Sequence, residues 1–290
     1  MNIAIGRTCP ILFRTTGGIS IGEFEVFRPY RHLVAAVSTR DGGVSSAPFA
    51  SLNVGLHVGD RPEDVLENRR RLCHALSMRV EHLVVPQQVH GTTVVQVSGA
   101  ERGYGALRHA EAIPEADGLV TDTPDIPLIA FSSDCPIILL YDSARPAIGL
   151  VHAGWRGTVG RIAQQGVRLM QDAFGTRAQD LLACIAPSVG PCCYQVQDDV
   201  VSAARSAALP VERLLVRRVD SMYFDLWEAN RLQLLEAGVG PENIVVSGLC
   251  TACHVDKFFS LRRERSSTGR FGVIMMLRAN NSNSCVVPSH

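Results

Sequence analysis

Three side chains able to bind a metal each close a short apolar run. His90 lies in Gln87-Gln-Val-His-Gly91 after the β-like residues 83–86, Cys135 in Ser132-Ser-Asp-Cys-Pro136 after 128–131, and His152 ends the apolar run 148–151. Two imidazoles and a thiolate are a recognised zinc donor set with a fourth position left open for water, the catalytic rather than the structural pattern. Their spacings of 45 and 17 residues match no local signature such as His-Glu-x-x-His, so spacing alone does not identify a metal. Asp134 and Cys135 sit between two segments that must be inside, where a carboxylate and a thiol are costly unless each has a partner.

The elements that must position these groups follow from hydrophobic pattern. Residues 148–151 form a strand, and three glycines and Arg156 follow His152 before a helix through Ile162, Leu169 and Met170 that Thr158 is placed to cap. An imidazole beside a glycine-rich loop and a helix N-terminus suits a metal or an anion, although an ordinary strand-turn-helix connection reads the same way. A strand over 33–39 leads into Arg40-Asp-Gly-Gly-Val-Ser45. Successive glycines there let backbone N–H groups converge on an anion with Arg40 as the matching charge, or simply make a turn. Asn53 and His57 are polar groups of the next glycine-containing loop that could face a cleft. Helices are expected after Asp60, Asp198 and Asp225, and strands over 93–97, 137–141, 182–186, 244–246, 258–263 and 271–277. Strands and helices alternate without strict βαβ repetition, repeat or linker, which predicts one mixed α/β domain.

Composition narrows the partners. The 290 residues are 46% hydrophobic, ample for a core, and 28 Lys and Arg balance 28 Asp and Glu. No global field therefore recruits nucleic acid or an anionic membrane. No apolar run approaches the roughly 18 residues that span a bilayer, and Arg7 and Arg14 interrupt any secretory pattern, so a cytoplasmic protein is expected. Nine cysteines in that setting read as thiols and ligands, not as a disulfide framework. Cys250-Thr-Ala-Cys253-His254 matches the c-type haem attachment pattern, but without an export signal plain thiols are the simpler reading, and a structural metal there requires two more ligands.

Gln-Val-His-Gly, Ser-Asp-Cys-Pro, Val-His-Ala-Gly-Trp-Arg-Gly-Thr, Gly-Pro-Cys-Cys-Tyr and Phe-Phe-Ser-Leu-Arg-Arg with a later Thr-Gly-Arg occur here in an order that resembles the YfiH-type family, also called the laccase-domain or purine nucleoside phosphorylase family. The resemblance implies a single YfiH-type domain of mixed β-sheets flanked by helices, over residues 26–279, with an N-terminal extension at 1–25 and a mobile tail at 280–290. It implies one zinc held by His90, Cys135 and His152. It also implies phosphorolysis of adenosine, inosine, guanosine and methylthioadenosine, with deamination of adenosine as a second activity. The substrates are then purine nucleosides and phosphate. In that setting Asp134 is the proton-transfer candidate, Arg40 and Arg156 are the groups to position phosphate, Asn53 lines the substrate cleft, and Arg263 is a weaker phosphate candidate.

An older family label, polyphenol oxidase or laccase, implies copper. The nine histidines contain no His-x-His pair, which speaks against a trinuclear copper cluster, but two histidines and a cysteine can hold a single Cu²⁺, the alternative occupant. Two other readings stand beside these: a hydrolase with Cys135 as nucleophile and His152 as base, and a non-catalytic zinc-binding module.

Overall fold

A computed structural model describes residues 10–265 and 267–279. The chain opens with a hairpin, β1 (Ile11–Thr16) and β2 (Ile19–Phe24), followed by β3 (Leu33–Ser38) and helix α1 (Pro62–Ala75). Next come β4 (Val94–Gln96), β5 (Gly118–Thr121), β6 (Leu128–Ser132), β7 (Ile137–Asp142) and β8 (Ala147–His152). Helices α2 (Trp155–Val159) and α3 (Ile162–Phe174) lead to β9 (Leu181–Ile185), β10 (Gln195–Val196), α4 (Asp198–Ser206) and α5 (Val211–Leu214). The last elements are β11 (Leu215–Arg218), β12 (Ser221–Phe224), α6 (Leu226–Glu236), β13 (Ile244–Val246), α7 (Leu261–Glu264) and β14 (Phe271–Leu277).

These elements make a mixed α/β domain of four layers. A five-stranded antiparallel sheet, ordered β1-β2-β3-β14-β6, faces a six-stranded mixed sheet, ordered β13-β9-β7-β8-β5-β4. Because side chains alternate along a strand, β7 sends Leu139 and Tyr141 into the core between the sheets, with Val37, Leu128 and Val273 opposite, and sends Ile138 and Leu140 to Val167 and Met170 of α3. On the outer face of the first sheet, Ile129 and Ile274 meet Leu72 and Cys73 of α1. Covering both faces explains why β6, β7, β8 and β14 read as unbroken apolar runs. A small sheet, β10-β12-β11, packs with α4 and α5 around a separate cluster that includes Phe224 and Leu226. Among the described residues no helix is long and apolar enough to cross a membrane.

Several local expectations change. Residues 10–25, read from sequence as part of an extension, build β1 and β2 of the first sheet, and Ile19, Ile21 and Phe24 are buried there. Gly17 and Gly18, both at positive φ, make the two-residue turn that joins those strands. Residues 1–9 and the tail at 280–290 lie outside the described residues. Thr158 does not cap a long helix. The chain breaks between α2 and α3 at Arg161 (φ 63°), and the Thr158 hydroxyl inside α2 donates to the Ala153 carbonyl at 3.0 Å. Residues 258–263 form a turn into α7 rather than a strand, with the Ser260 side chain accepting from the Arg263 N–H.

Candidate metal centre and active site

Strand pairing sets the geometry. In the antiparallel β7–β8 pair Ile137 stands opposite His152, so Cys135, two residues before β7, emerges at the same sheet end as His152. His90 enters from the loop ahead of β4. The donor atoms of His90, Cys135 and His152 all lie within 4.8 Å of one another, and the two imidazole rings meet edge to face with centroids 5.0 Å apart. His152 is buried, Cys135 half-buried and His90 exposed, so the group is reachable from solvent on the His90 side.

Asp117 holds this arrangement together. It immediately precedes β5, whose Gly118 pairs with Val151, and that register sets its carboxylate against His152. Oδ1 lies 2.8 Å from His152 Nδ1 and accepts from the His90 backbone N–H at 2.9 Å, while Oδ2 accepts from the N–H groups of Gly91 at 2.7 Å and Val89 at 3.2 Å. One carboxylate thus fixes the ring of one donor and the loop of another. With Nδ1–H turned to Asp117, Nε2 of His152 is left for a metal, the usual outer support of a ligating histidine. Three N–H bonds also stabilise His90 at φ 61°, a conformation few non-glycine residues adopt. Burial pushes the Asp117 carboxyl up, but the hydrogen bond and charge of His152 and the surrounding N–H groups prevail and hold it below its usual range.

The residues fit a metal. A Cβ at Gly154 would stand 3.0 Å from a carbon of the His90 ring, 3.2 Å from Cys135 Sγ and 3.7 Å from a carbon of the His152 ring, so bare backbone at 154 keeps the space beside all three donors clear. Two imidazole nitrogens and one thiolate sulfur, backed by a carboxylate, match an open zinc site. Among the described residues this is the one donor group that contains histidine, too few donors for a trinuclear copper cluster.

Without a metal, the thiol and the imidazole share a proton unevenly. Burial pushes the Cys135 thiol up, yet the charge and hydrogen bond of His152, helped by His90, bring it from 9.0 down to about 6. Burial pulls His152 down, yet the Cys135 thiolate and Asp117 raise it from 6.5 to about 9. Cys135 contributes stability that is lost as pH falls from 9.0 to about 6, and His152 contributes stability that is lost as pH rises from 6.5 to about 9. The slopes are opposite, so this pair leaves stability nearly independent of pH in between. The difference absorbance between metal-free protein and its Cys135→Ala variant is therefore expected to show a thiolate that is present well below the ordinary 9.0 and fades as pH falls through about 6. A thiolate that appears only near 9.0 would refute the ion pair.

The other sequence candidates are dispersed or committed. The Arg40 guanidinium donates to the carbonyls of Ala50 (3.1 and 3.2 Å) and Val255 (3.1 Å), pairs with Glu264 at 3.0 Å and lies over the Phe259 ring. Gly42 and Gly43 admit no Cβ because the backbones of Gly18–Ile19 and Ser51–Leu52 press against them, so these glycines serve chain packing. Asn53 is fully buried and ties loops together through Asp60 Oδ2 (2.8 Å) and the N–H groups of Gly55 (3.0 Å) and Arg270 (2.8 Å). The Asp134 carboxylate accepts from the hydroxyls of Thr251 (2.7 Å) and Ser260 (2.8 Å) and the N–H of Arg262 (2.7 Å). Burial raises its carboxyl, and these donors only partly offset that. Arg156 is exposed and stacks on the Trp155 ring, and Arg263 is exposed on α7.

Sequence reasoning missed Asp117, Gly154 and the wall beside them. Trp155, Tyr194, Gln197 and Arg262 line a cleft of about 410 Å³ that begins one residue past Gly154, with the Arg262 guanidinium over the Tyr194 ring. The half-buried Arg270 guanidinium feels the charges of Cys135 and Asp134.

Residues 34–278 match the family model described as multi-copper polyphenol oxidoreductase laccase. The chain is 45% identical over 244 residues to purine nucleoside phosphorylase YlmD of Geobacillus stearothermophilus, covering 83% of this chain and 89% of the relative. It is 36% identical over 242 residues to adenosine deaminase RL5 of an unknown prokaryotic organism, covering 82% and 91%. The crystal structure of the hypothetical protein YfiH of Bacillus licheniformis superposes with a TM-score of 0.86 at 34% identity, covering 92% of this chain and 99% of that one. By the span of the family match and the identity of these relatives, the chain belongs to the multi-copper polyphenol oxidoreductase laccase family.

Proposed function

We propose that this protein is a zinc-dependent purine nucleoside phosphorylase that also deaminates adenosine. The observation that carries the reading is the His90–Cys135–His152 donor set, fixed by Asp117 and packed on Gly154, the residue before Trp155 of the cleft wall. Relatives named purine nucleoside phosphorylase and adenosine deaminase support it. Zinc, when bound, supplies an electrophilic position for a substrate atom or water. Trp155 and Tyr194 give that cleft an aromatic wall on which Arg156 and Arg262 lie, a surface suited to a flat, electron-rich base. Arg262 and Arg270, whose Nη1 also donates to the Thr268 and Gly269 carbonyls, offer positive charge for a phosphate, a role sequence reasoning gave to Arg40 and Arg156; the Arg40 donors are engaged with Ala50, Val255 and Glu264. Asp134 accepts from the Arg262 N–H, which supports a positioning role toward that cation beside the proton-transfer role expected from sequence.

Incubating purified protein with adenosine, with and without phosphate, and separating the products tests this directly. Free adenine formed only when phosphate is present supports phosphorolysis, and inosine formed in either case supports deamination. A zinc-loaded protein that yields neither would leave a binding module as the answer.

A further inference from the structure

A second cluster of donors lies apart from the His90–Cys135–His152 centre. Cys192 and Cys193 follow β9, and Cys250 and Cys253 follow β13. Because β9 and β13 run parallel, their C-terminal ends emerge side by side. The pairing continues past the strands: Ser188 N–H donates to the Leu249 carbonyl at 3.2 Å and Thr251 N–H to the Ser188 carbonyl at 3.1 Å. Each cysteine loop is then folded back tightly. The N–H groups of Cys193 and Tyr194 both reach the Gly190 carbonyl at 2.9 Å, and those of Cys253 and His254 reach the Cys250 carbonyl at 3.1 and 3.0 Å. Gly190 N–H crosses to the other loop and donates to Cys250 Sγ at 3.3 Å.

The result is four sulfur atoms that all lie within 4.8 Å of one another, with Cys253 Sγ 3.7 Å from Cys192 Sγ and 3.4 Å from Cys193 Sγ. A tetrahedral zinc with Zn–S bonds of about 2.3 Å requires sulfurs about 3.8 Å apart. The N–H bond to Cys250 Sγ is what a thiolate needs, and a donor set made only of sulfur selects a soft, tetrahedral ion. The Cys-x-x-Cys pair needed two further ligands, and the parallel strand pairing delivers them as Cys192 and Cys193.

We propose that Cys192, Cys193, Cys250 and Cys253 bind a structural zinc, distinct from the centre at His90, Cys135 and His152. Four ligands fill its coordination shell, so it takes no substrate. Its task is positional. Tyr194 of the cleft wall adjoins Cys193, and Thr251, which donates to Asp134 beside Cys135, adjoins Cys250. Closing the four sulfurs on one ion locks both loops and, through them, the wall of the cleft.

Metal analysis of the purified protein is expected to give two zinc ions per chain. A His90→Ala/His152→Ala variant should retain one, and adding Cys192→Ser/Cys193→Ser, at an exposed and a half-exposed position, should remove it. Cobalt exchanged into the His90→Ala/His152→Ala variant should show the strong thiolate-to-cobalt bands of a four-sulfur tetrahedron, which decides the matter even if the cysteine variants fail to fold. One zinc in the wild type and none in the histidine variant would overturn the proposal, as would a disulfide joining Cys253 to Cys192 or Cys193 in protein isolated without oxidant, or iron in place of zinc. These readouts do not depend on catalysis, so an inactive protein would leave the inference standing.

Discussion

Cys135→Ala protein is expected to lose the metal at His90 and His152 and to turn over adenosine, with or without phosphate, no faster than background. Two imidazoles remain, one of them on an exposed loop, and two donors do not hold zinc against water when the ordinary catalytic complement is three. The variant also removes the Cys135 thiolate from beside His152 and leaves Asp117 as the remaining anion hydrogen-bonded to that ring among the described residues. Losing the electrophile should lower turnover on the order of at least 10²–10³-fold, the range for removing one strong transition-state contact. Retained activity in folded, metal-free Cys135→Ala protein would refute the site. Loss of activity in Cys135→Ala is also what a cysteine nucleophile predicts, and chelation of the wild type separates the two: a nucleophilic Cys135 would keep working without metal, whereas a ligand would not.

Asp117→Asn should weaken metal binding by about 10–100-fold, the usual effect of removing a carboxylate that supports a ligating histidine. The carboxylate accepts hydrogen bonds with both oxygens, Oδ1 from His152 Nδ1 and the His90 N–H, Oδ2 from the N–H groups of Val89 and Gly91. An amide can present only one oxygen to them and sets an NH₂ against at least one N–H donor. The unsatisfied buried group costs about 1–3 kcal/mol, so the variant should also melt earlier. Competition against a chromogenic chelator reads the affinity, and excess zinc should restore activity, which a direct catalytic role for Asp117 would not allow. Unchanged metal affinity would show that the His152 ring is held by other means.

How much of this was legible follows from how local each cause is. His90, Cys135 and His152 stood out because each closes an apolar run, a pattern contained in a few residues. Asp117 was invisible because its meaning depends on β5 pairing with β8 in a register that brings residues 117 and 152 together, and no local periodicity encodes that. Gly42 and Gly43 misled in the opposite direction. Glycines that cradle an anion and glycines that let two backbones touch look the same in sequence, and here the backbones at 18–19 and 51–52 are the cause. The same holds for Arg40, whose partners Val255 and Glu264 lie more than two hundred positions away. The layered fold was readable from fully apolar strands, while the β1–β2 hairpin was not, because β1 is an edge strand with no fully buried residue and its Ile-Leu-Phe-Arg-Thr-Thr run does not alternate apolar with polar.

That hairpin bears on how the protein can be handled. The family match begins at residue 34, inside β3, which pairs with β2 on one side and β14 on the other. A fragment cut to the matched span would strip Ile19, Ile21 and Phe24 from two packed layers and turn β3 into a long apolar edge with its hydrogen-bonding groups bare. Such an edge recruits strands from other molecules. The span of the family match is therefore shorter than the folded unit, and Arg14 and Glu23, paired at 2.7 Å on the hairpin's exposed side, place charge beside the sheet's outer strand, where it disfavours edge-to-edge pairing.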